Sequence, residues 1–259
     1  MRSIDLNADL GEADNAEWAR NEAEMLRYIT SANIACGGHA GTETSMRRMV
    51  RGAKQHGVVI GAHPSFPDKA HFGRKSMALG SDITAEDLKA SLMEQITQLA
   101  EIAAEEETFI SYVKPHGALY NDAVDDAEKA NLIAEVCAAI DPKLIFMGGP
   151  NSEMGKAAKR HKLKFIAEGF IDRRYTDEGH LQNRSIKGAV IESQKARLIQ
   201  AKKIVTMQSV TTASGAELPL KVKTLCLHGD SDGAVETARL ARREIEAAGV
   251  KIKAFARVA

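Results

Sequence analysis

The sequence predicts an α/β fold: a single-domain, irregular seven-stranded β/α barrel covering residues 1–259. Three observations carry that expectation. Short apolar runs alternate with amphipathic patterns from one end of the chain to the other, which is the signature of βα units around a parallel sheet. Seven or eight such units in 259 residues suit a closed barrel, with an open doubly wound sheet as the alternative. No Pro- or Ser-rich linker, low-complexity tract or internal repeat divides the chain. One domain of this length buries enough surface to need no staple.

The strands follow in order. "SIDLNAD" reads as the first, "SANIAC" as a short second, "GVVIGAH" as the third and "ISYVKPH" as the fourth. "KLIFMGG", "LKFIAEGF" and "VKTLCLHGD" are the fifth to seventh, and "GVKIKAF" is a candidate eighth. Helical stripes lie between them. Met46, Met49, Val50 and Ala53 form one; Leu88, Leu92, Ile96, Leu99 and Ala103 form another, with Thr84 to Asp87 as the capping box at its start. Ile133, Val136 and Ile140 mark a third, stopped at Asp141-Pro142, and Ala234, Ala238, Ala241, Ile245 and Ala248 a fourth, ended by Gly249. Apolar residues at helical spacing are core faces, and Cys137 packs in one of them. Residues 64–83 form the longest stretch without periodicity, and a loop of that length in a compact domain is usually functional.

Bulk properties exclude several function classes. Thirty-five basic residues balance 35 acidic ones, and no basic run carries interleaved aromatics. Nucleic acid and an anionic membrane are therefore not expected as partners. The longest apolar runs, such as Leu144 to Met147, are far below a membrane span. The N-terminal "MRSIDLNADLGE" has no apolar signal core, and Cys36, Cys137 and Cys226 are an odd count without a CxxC. Both features predict a cytoplasmic protein with reduced thiols.

Chemistry collects just past the strands. The first ends at Asn7, Asp9 and Glu12, the second at His39, the third at His63 and the fourth in "KPHGALYN", with Lys114, His116, Tyr120 and Asn121. The sixth is followed by Glu168 and then Asp172 and Arg173; the seventh ends at His228 and Asp230. In a parallel barrel those ends converge on one mouth. A lone histidine after a strand is ordinarily a hydrogen-bonded turn residue, but four of the chain's eight at one relative position, joined by Asp9, point to a site. His71 and His180 lack that placement; His56 and His161 fall at helix ends, where a cation suits the dipole. Asp14, Asp125 and Asp126 read as solvated helix-start or loop acids, and Glu105 to Glu107 as an exposed face.

One Asp and two His in a cleft can hold a divalent metal with positions left for water and substrate, and Asp9, His63 and His116 are the best such set. No HExxH or cysteine-based zinc spacing reinforces it. A metal-free site is equally open, with Asp9 or a histidine as general base and Lys114 and Arg173 holding a carboxylate or oxyanion. Asn7, Glu12 and Asp172 complete the candidate substrate contacts, although Glu12 could simply cap the next element. "GGPNSEMGKA" fails as a phosphate loop: five residues separate Gly149 from Gly155, and Ala157 follows Lys156. Asn151 reads there as an ordinary N-cap.

The motifs "IDLNADLGE", "SANIACGGHAG", "GAHPSFPD", "FGR", "VKPHGALYN", "EGFIDRRY" and "CLHGD" occur in that order. Together they resemble the LamB/YcsF family, the A component of prokaryotic 5-oxoprolinase, from the first strand to the last helix. The resemblance implies ATP-dependent opening of the lactam of 5-oxo-L-proline to L-glutamate, with ATP as co-substrate and subunits B and C as partners. It implies a barrel of the carbohydrate-deacetylase type. In those relatives an Asp after the first strand and two later His bind a metal, and Asp9, His63 and His116 match that pattern. The implied mechanism has these three position water, with His39 and His228 shuttling protons or holding the carbonyl oxygen. Lys114 or Arg173 would pair with the substrate carboxylate. The alternatives are a metal-dependent deacetylase of an N-acetylated sugar and a non-catalytic binding subunit of a hydrolase complex. The chain departs from the family pattern at Gly38, ordinarily aromatic, at Thr42, ordinarily Asp, and in "NRSIKGA", with Asn183, Ile186 and Lys187.

Overall fold

The computed structural model describes residues 2–229 and 233–257. Its elements run β1 (Ser3–Leu10), α1 (Ala16–Met25), β2 (Ser31–Ala35), α2 (Glu43–His56), β3 (Val59–His63), α3 (Ala85–Glu105) and β4 (Tyr112–Val113). They continue through α4 (Gly117–Asp125), α5 (Ala127–Ile140), β5 (Ile145–Gly148), α6 (Glu153–Arg160) and β6 (Lys164–Phe170). The last are α7 (Gln194–Met207), β7 (Ser209–Thr211), β8 (Glu217–Pro219), β9 (Thr224–His228), α8 (Ala234–Ala247) and β10 (Lys251–Ile252). Strands β1 to β6 pair in sequence, all parallel, and β9 lies between β6 and β1, so seven strands close the expected barrel. The candidate eighth strand, β10, pairs only with Ser3 and Ile4 at the start of β1 and stays outside the ring. Strands β7 and β8 form a separate antiparallel hairpin.

Alternation decides which side of the barrel each residue faces. Ile4, Leu6, Ala8 and Leu10 of β1, Ile60 and Ala62 of β3, Phe146 of β5 and Leu225 and Leu227 of β9 join the helix stripes in one large apolar core. The intervening residues form another population. Val59, Tyr112, Ile145, Met147 and Ile166 make a small separate cluster, with Ala254, Phe255 and Ala256 of the C-terminal segment packed on it. Above it lie Asp5, Asn7, Ser31, Asn33 and Thr224, all buried. They satisfy one another: Tyr112 Oη donates to Asn33 Oδ1 (2.6 Å), Asn33 Nδ2 to Asn7 Oδ1 and Asp9 Oδ1 (2.7 Å each), and Asn7 Nδ2 to Thr224 Oγ1 (2.6 Å). The Thr224, Thr30 and Ser31 hydroxyls all donate to Asp5.

The four helical stripes lie in α2, α3, α5 and α8. Thr84 caps α3 as expected, accepting from the Asp87 amide. Thr42 and Ser45 form a complete capping box on α2, so threonine at a family aspartate position does the same capping work. Helices α1, α4, α6 and α7 had no apolar stripe strong enough to announce them; α1 buries only Glu22 and Met25, and α7 leaves Ile199 and Met207 exposed. His56 and His161 do sit at helix C-termini, and Asp126 caps α5. Two expectations need correction. Asn151 is not the cap of α6: it adopts a left-handed backbone (φ 56°), and Ser152 is the N-cap. Glu106 is more than a solvated acid, since Arg47 and Arg51 both donate to it. Among the described residues no helix is long and apolar enough to cross a membrane.

Candidate active site

The carboxyl ends of the strands surround a cavity of about 200 Å³. Asp9, His63, Lys114, His116, Arg173 and His228 all line it, together with Arg74, Tyr120, Asn121, Phe170, Asn183 and Arg184. Parallel register is what joins them: Asp9 lies beside His228 in the β1–β9 pair, and Ala35, just before the His39 turn, lies beside His63.

Asp9 is the hub. Its Oδ1 accepts from Lys114 Nζ (2.8 Å) and Asn33 Nδ2 (2.7 Å). Its Oδ2 faces His63 Nε2 at 3.3 Å and His228 Nε2 at 3.8 Å. Burial alone would push this carboxyl up; the attraction of His63 and Lys114 overcomes that and holds it well below the usual carboxylate range. Lys114 is buried, with Asp9, Glu168 Oε1 (3.0 Å) and Cys226 Sγ (3.1 Å) around its ammonium. Burial disfavours its charge, but Asp9, Cys226 and Glu168 raise its pKa well above normal. A lysine engaged in this way maintains the charge of Asp9.

Backbone carbonyls fix the tautomers of two histidines. His63 Nδ1 lies 2.7 Å from the Lys114 carbonyl, and His116 Nε2 3.0 Å from the Phe72 carbonyl. A carbonyl only accepts, so those nitrogens carry the protons. Their other nitrogens, His63 Nε2 and His116 Nδ1, face each other at 3.0 Å. Burial, together with His39 and His63, holds the His116 pKa well below normal. With both rings neutral, two lone pairs converge where an electrophile fits, and Asp9 Oδ2 borders the same space. His63 and His116, each oriented by a carbonyl behind it, belong to one group of side chains with Glu12 and His39 that could hold a metal ion, and Asp9 Oδ2 lies 3.3 Å from His63 Nε2.

His39 and Glu12 lie beside His116. The His39 ring stacks on His116 at 3.6 Å, and its Nε2 donates to Glu12 Oε1 at 2.8 Å. Neither lines the cavity. Glu12 is not the cap of α1, which Asn15 provides. The Glu12 and Ala13 amides instead donate to the buried Glu22 Oε1 (2.7 and 3.1 Å). Gly73, in the long 64–83 loop, presses on both rings with φ +63°: a Cβ there would lie 2.8 Å from His39 Cβ and 3.0 Å from His116 Cδ2. At Gly38 a Cβ would lie 2.3 Å from Gln95 Oε1, so Gln95 of α3 fills the place of the family aromatic.

On the other wall, Asp172 Oδ2 accepts from His228 Nδ1 (2.6 Å) and from the His228 amide (3.2 Å). Arg184 lies 3.0 Å from His228 Nε2 and can only donate, so Nε2 accepts. Burial opposes ionisation of Asp172, but His228 brings its pKa down to about 2. Asp172 thus orients His228 and does not line the cavity. Arg173 does, with its Nε buried and unpartnered and its Nη2 on the Gln182 carbonyl. Burial and neighbouring Arg184 lower its pKa to about 10. Asn7 lies in the polar interior, hydrogen-bonded to Thr224 and Asn33, and does not line the cavity. Asp230 lies outside the described residues. Sequence reasoning missed Asn33, Tyr112 and Arg184 as site components. A polar residue inside a strand signals the first, and the "NRSIKGA" departure held the last.

Comparison with known proteins places the chain in a family. The chain is 40% identical over 259 residues to the first of the 5-oxoprolinase A components of Agrobacterium fabrum, covering 99% of each chain. It is 42% identical over 254 residues to the 5-oxoprolinase A component of Haemophilus influenzae strain PittEE, covering 98% of this chain and all of that one. A lactam utilization protein from Thermus thermophilus superposes with a TM-score of 0.87 at 37% identity, covering 98% of this chain and 100% of that one. The LamB/YcsF family model matches residues 4–259: the chain belongs to the LamB/YcsF family.

Proposed function

We propose that this chain is the A component of an ATP-dependent 5-oxoprolinase and opens the lactam of 5-oxo-L-proline to L-glutamate. The observation that supports it best is the placement of two devices on one cavity: the Asp9–His63–His116 cluster on one wall and the Asp172–His228 pair beside Arg173 and Arg184 on the other. Hydrolysis of a cyclic amide needs both, because water must lose a proton while the ring nitrogen gains one.

In this reading Asp9 Oδ2 and the facing imidazoles hold the attacking water against the lactam carbonyl. His228 Nε2, a free acceptor once Arg184 turns to the substrate, takes the water proton and returns it to the departing ring nitrogen. Asp172 keeps the other imidazole nitrogen protonated and steadies the charged ring. Arg173 and Arg184 grip the substrate carboxylate. A divalent cation held by Asp9, His63 and His116 would supply Lewis acidity and a more acidic water.

Opening an unstrained lactam is unfavourable without coupling, so ATP enters as co-substrate: its terminal phosphoryl passes to the amide oxygen with release of ADP, water adds and the ring C–N bond breaks, and hydrolysis of the resulting acyl phosphate yields glutamate and phosphate. We assign its binding to partner subunits B and C, because residues 148–157 lack phosphate-loop spacing and form the start of α6. An ATP-using reaction and three buried, unpaired cysteines suit the cytoplasm.

The test is glutamate release from 5-oxoproline and ATP, with the chain alone and with purified B and C. Release only by the full set is expected. Asp9→Asn should lower it about a thousandfold while the protein still melts cooperatively. Acetate release from an N-acetylated sugar by the chain alone would replace this reading with the deacetylase one. A wild-type rate in Asp9→Asn would leave a non-catalytic role in the complex.

A further inference from the structure

Glu12 is a buried carboxylate whose charge has no lysine or arginine partner among the described residues. Asp9 and Glu168 share Lys114, and Asp172 has His228. Glu12 faces only His39 Nε2 (2.8 Å) and His116 Nδ1 (3.4 Å). An uncompensated buried carboxylate is costly.

The separations around this carboxylate follow a pattern. His63 Nε2 to His116 Nδ1 is 3.0 Å, His63 Nε2 to Asp9 Oδ2 is 3.3 Å and His116 Nδ1 to Glu12 Oε1 is 3.4 Å. Ligand atoms held about 2.0–2.2 Å from a tetrahedral zinc ion are separated by roughly 3.3–3.6 Å, which the two carboxylate separations match, the two imidazole nitrogens lying slightly closer. Glu12, His39, His63 and His116 are buried, and their donor atoms lie within 4.8 Å of one another.

We infer that Glu12 is a ligand of the cation site, joining Asp9, His63 and His116, and that His39 and Glu22 are its positioning residues. Two carboxylates then face a divalent ion with matched charge, and the lone pairs of His63 and His116 are both used. Glu22 fixes the backbone of the Glu12 turn by accepting from two amides, and His39 fixes the carboxylate through Nε2. Glu12 thereby leaves the substrate contacts expected from the sequence. The assignment holds whatever ring or ester the site opens.

The experiment is titration of the chelator-stripped full chain with zinc chloride alone, followed by calorimetry. One ion per chain is expected, lost in His63→Ala and bound at least tenfold more weakly by Glu12→Gln. Diffraction at the zinc edge from zinc-soaked wild-type crystals should place a Glu12 oxygen on the ion, and this measurement does not require the variant to fold. Wild-type affinity in folded Glu12→Gln, an ion without Glu12 beside it, or no uptake by the wild type would each overturn the inference. None of these outcomes bears on glutamate release, which tests the lactam reading separately.

Discussion

The two faces of the same strands are chemically opposite. Outward-facing Leu6, Ala8, Phe146 and Leu225 pack in the large apolar core with the helices. Inward-facing Asp5, Asn7, Asn33 and Thr224 are just as buried and form a hydrogen-bonded network that ends at Asp9. Apolar packing is non-directional, so the shell supplies stability without aiming any single atom. Hydrogen bonds are directional and costly to leave unmade, so the interior fixes where Asp9 points. Substitutions on the two faces should therefore separate stability from activity.

The largest effect belongs to the shell. Phe146, fully buried and edge-on to Phe165, should cost roughly 3 kcal/mol or more when changed to Ala, read as a shift in urea midpoint. Turnover per folded molecule should stay within about twofold. A collapse of turnover at full folding would erase the distinction between the faces.

Next is the interior charge of Asp5. Burial pushes its carboxyl from the ordinary 3.8 to about 6, against the pull of three hydroxyl donors. Folded Asp5 holds its proton more tightly than the unfolded chain does. Its contribution to stability is therefore fully present below about pH 4 and is lost as pH rises through about 6, a change of roughly 3 kcal/mol at most. Urea unfolding at pH 4 and at pH 7.5 should show that loss in the wild type and a smaller one in Asp5→Asn. An identical pH dependence in both would show that folding leaves the Asp5 carboxyl at its ordinary pKa.

Smallest in stability, and sharpest for the comparison, is Tyr112→Phe. It deletes the donor to Asn33 Oδ1 and should cost about 1–2 kcal/mol. Because Asn33 also holds Asp9, kcat should fall several-fold with KM unchanged. A changed KM with an intact kcat would place Asn33 against substrate instead of behind Asp9.

Much of this was legible in the chain. The spacing of strand-like runs and helix stripes led to the closed barrel, and the residues past strand ends led to Asp9, His63, His116 and His228. Helices α4 and α7 were not legible, because α4 is short and the apolar residues of α7 are spread around its surface. The supporting roles of His39, Lys114 and Asp172 were also hidden. A residue type near a strand end marks a place at the mouth, but whether its side chain reaches the cavity or stands behind a neighbour depends on rotamers and packing.

By itself, then, the sequence determined the alternation that builds the barrel and the titratable residues gathered at its carboxyl ends, since both are local patterns of period and position. Only the tertiary structure decided that Lys114 answers to Asp9, that Asp172 orients His228 and that Glu12 faces two histidines and, among the described residues, no lysine or arginine. Those pairings join residues from 27 to 105 positions apart in the chain, and barrel closure is what brings their atoms within reach of one another.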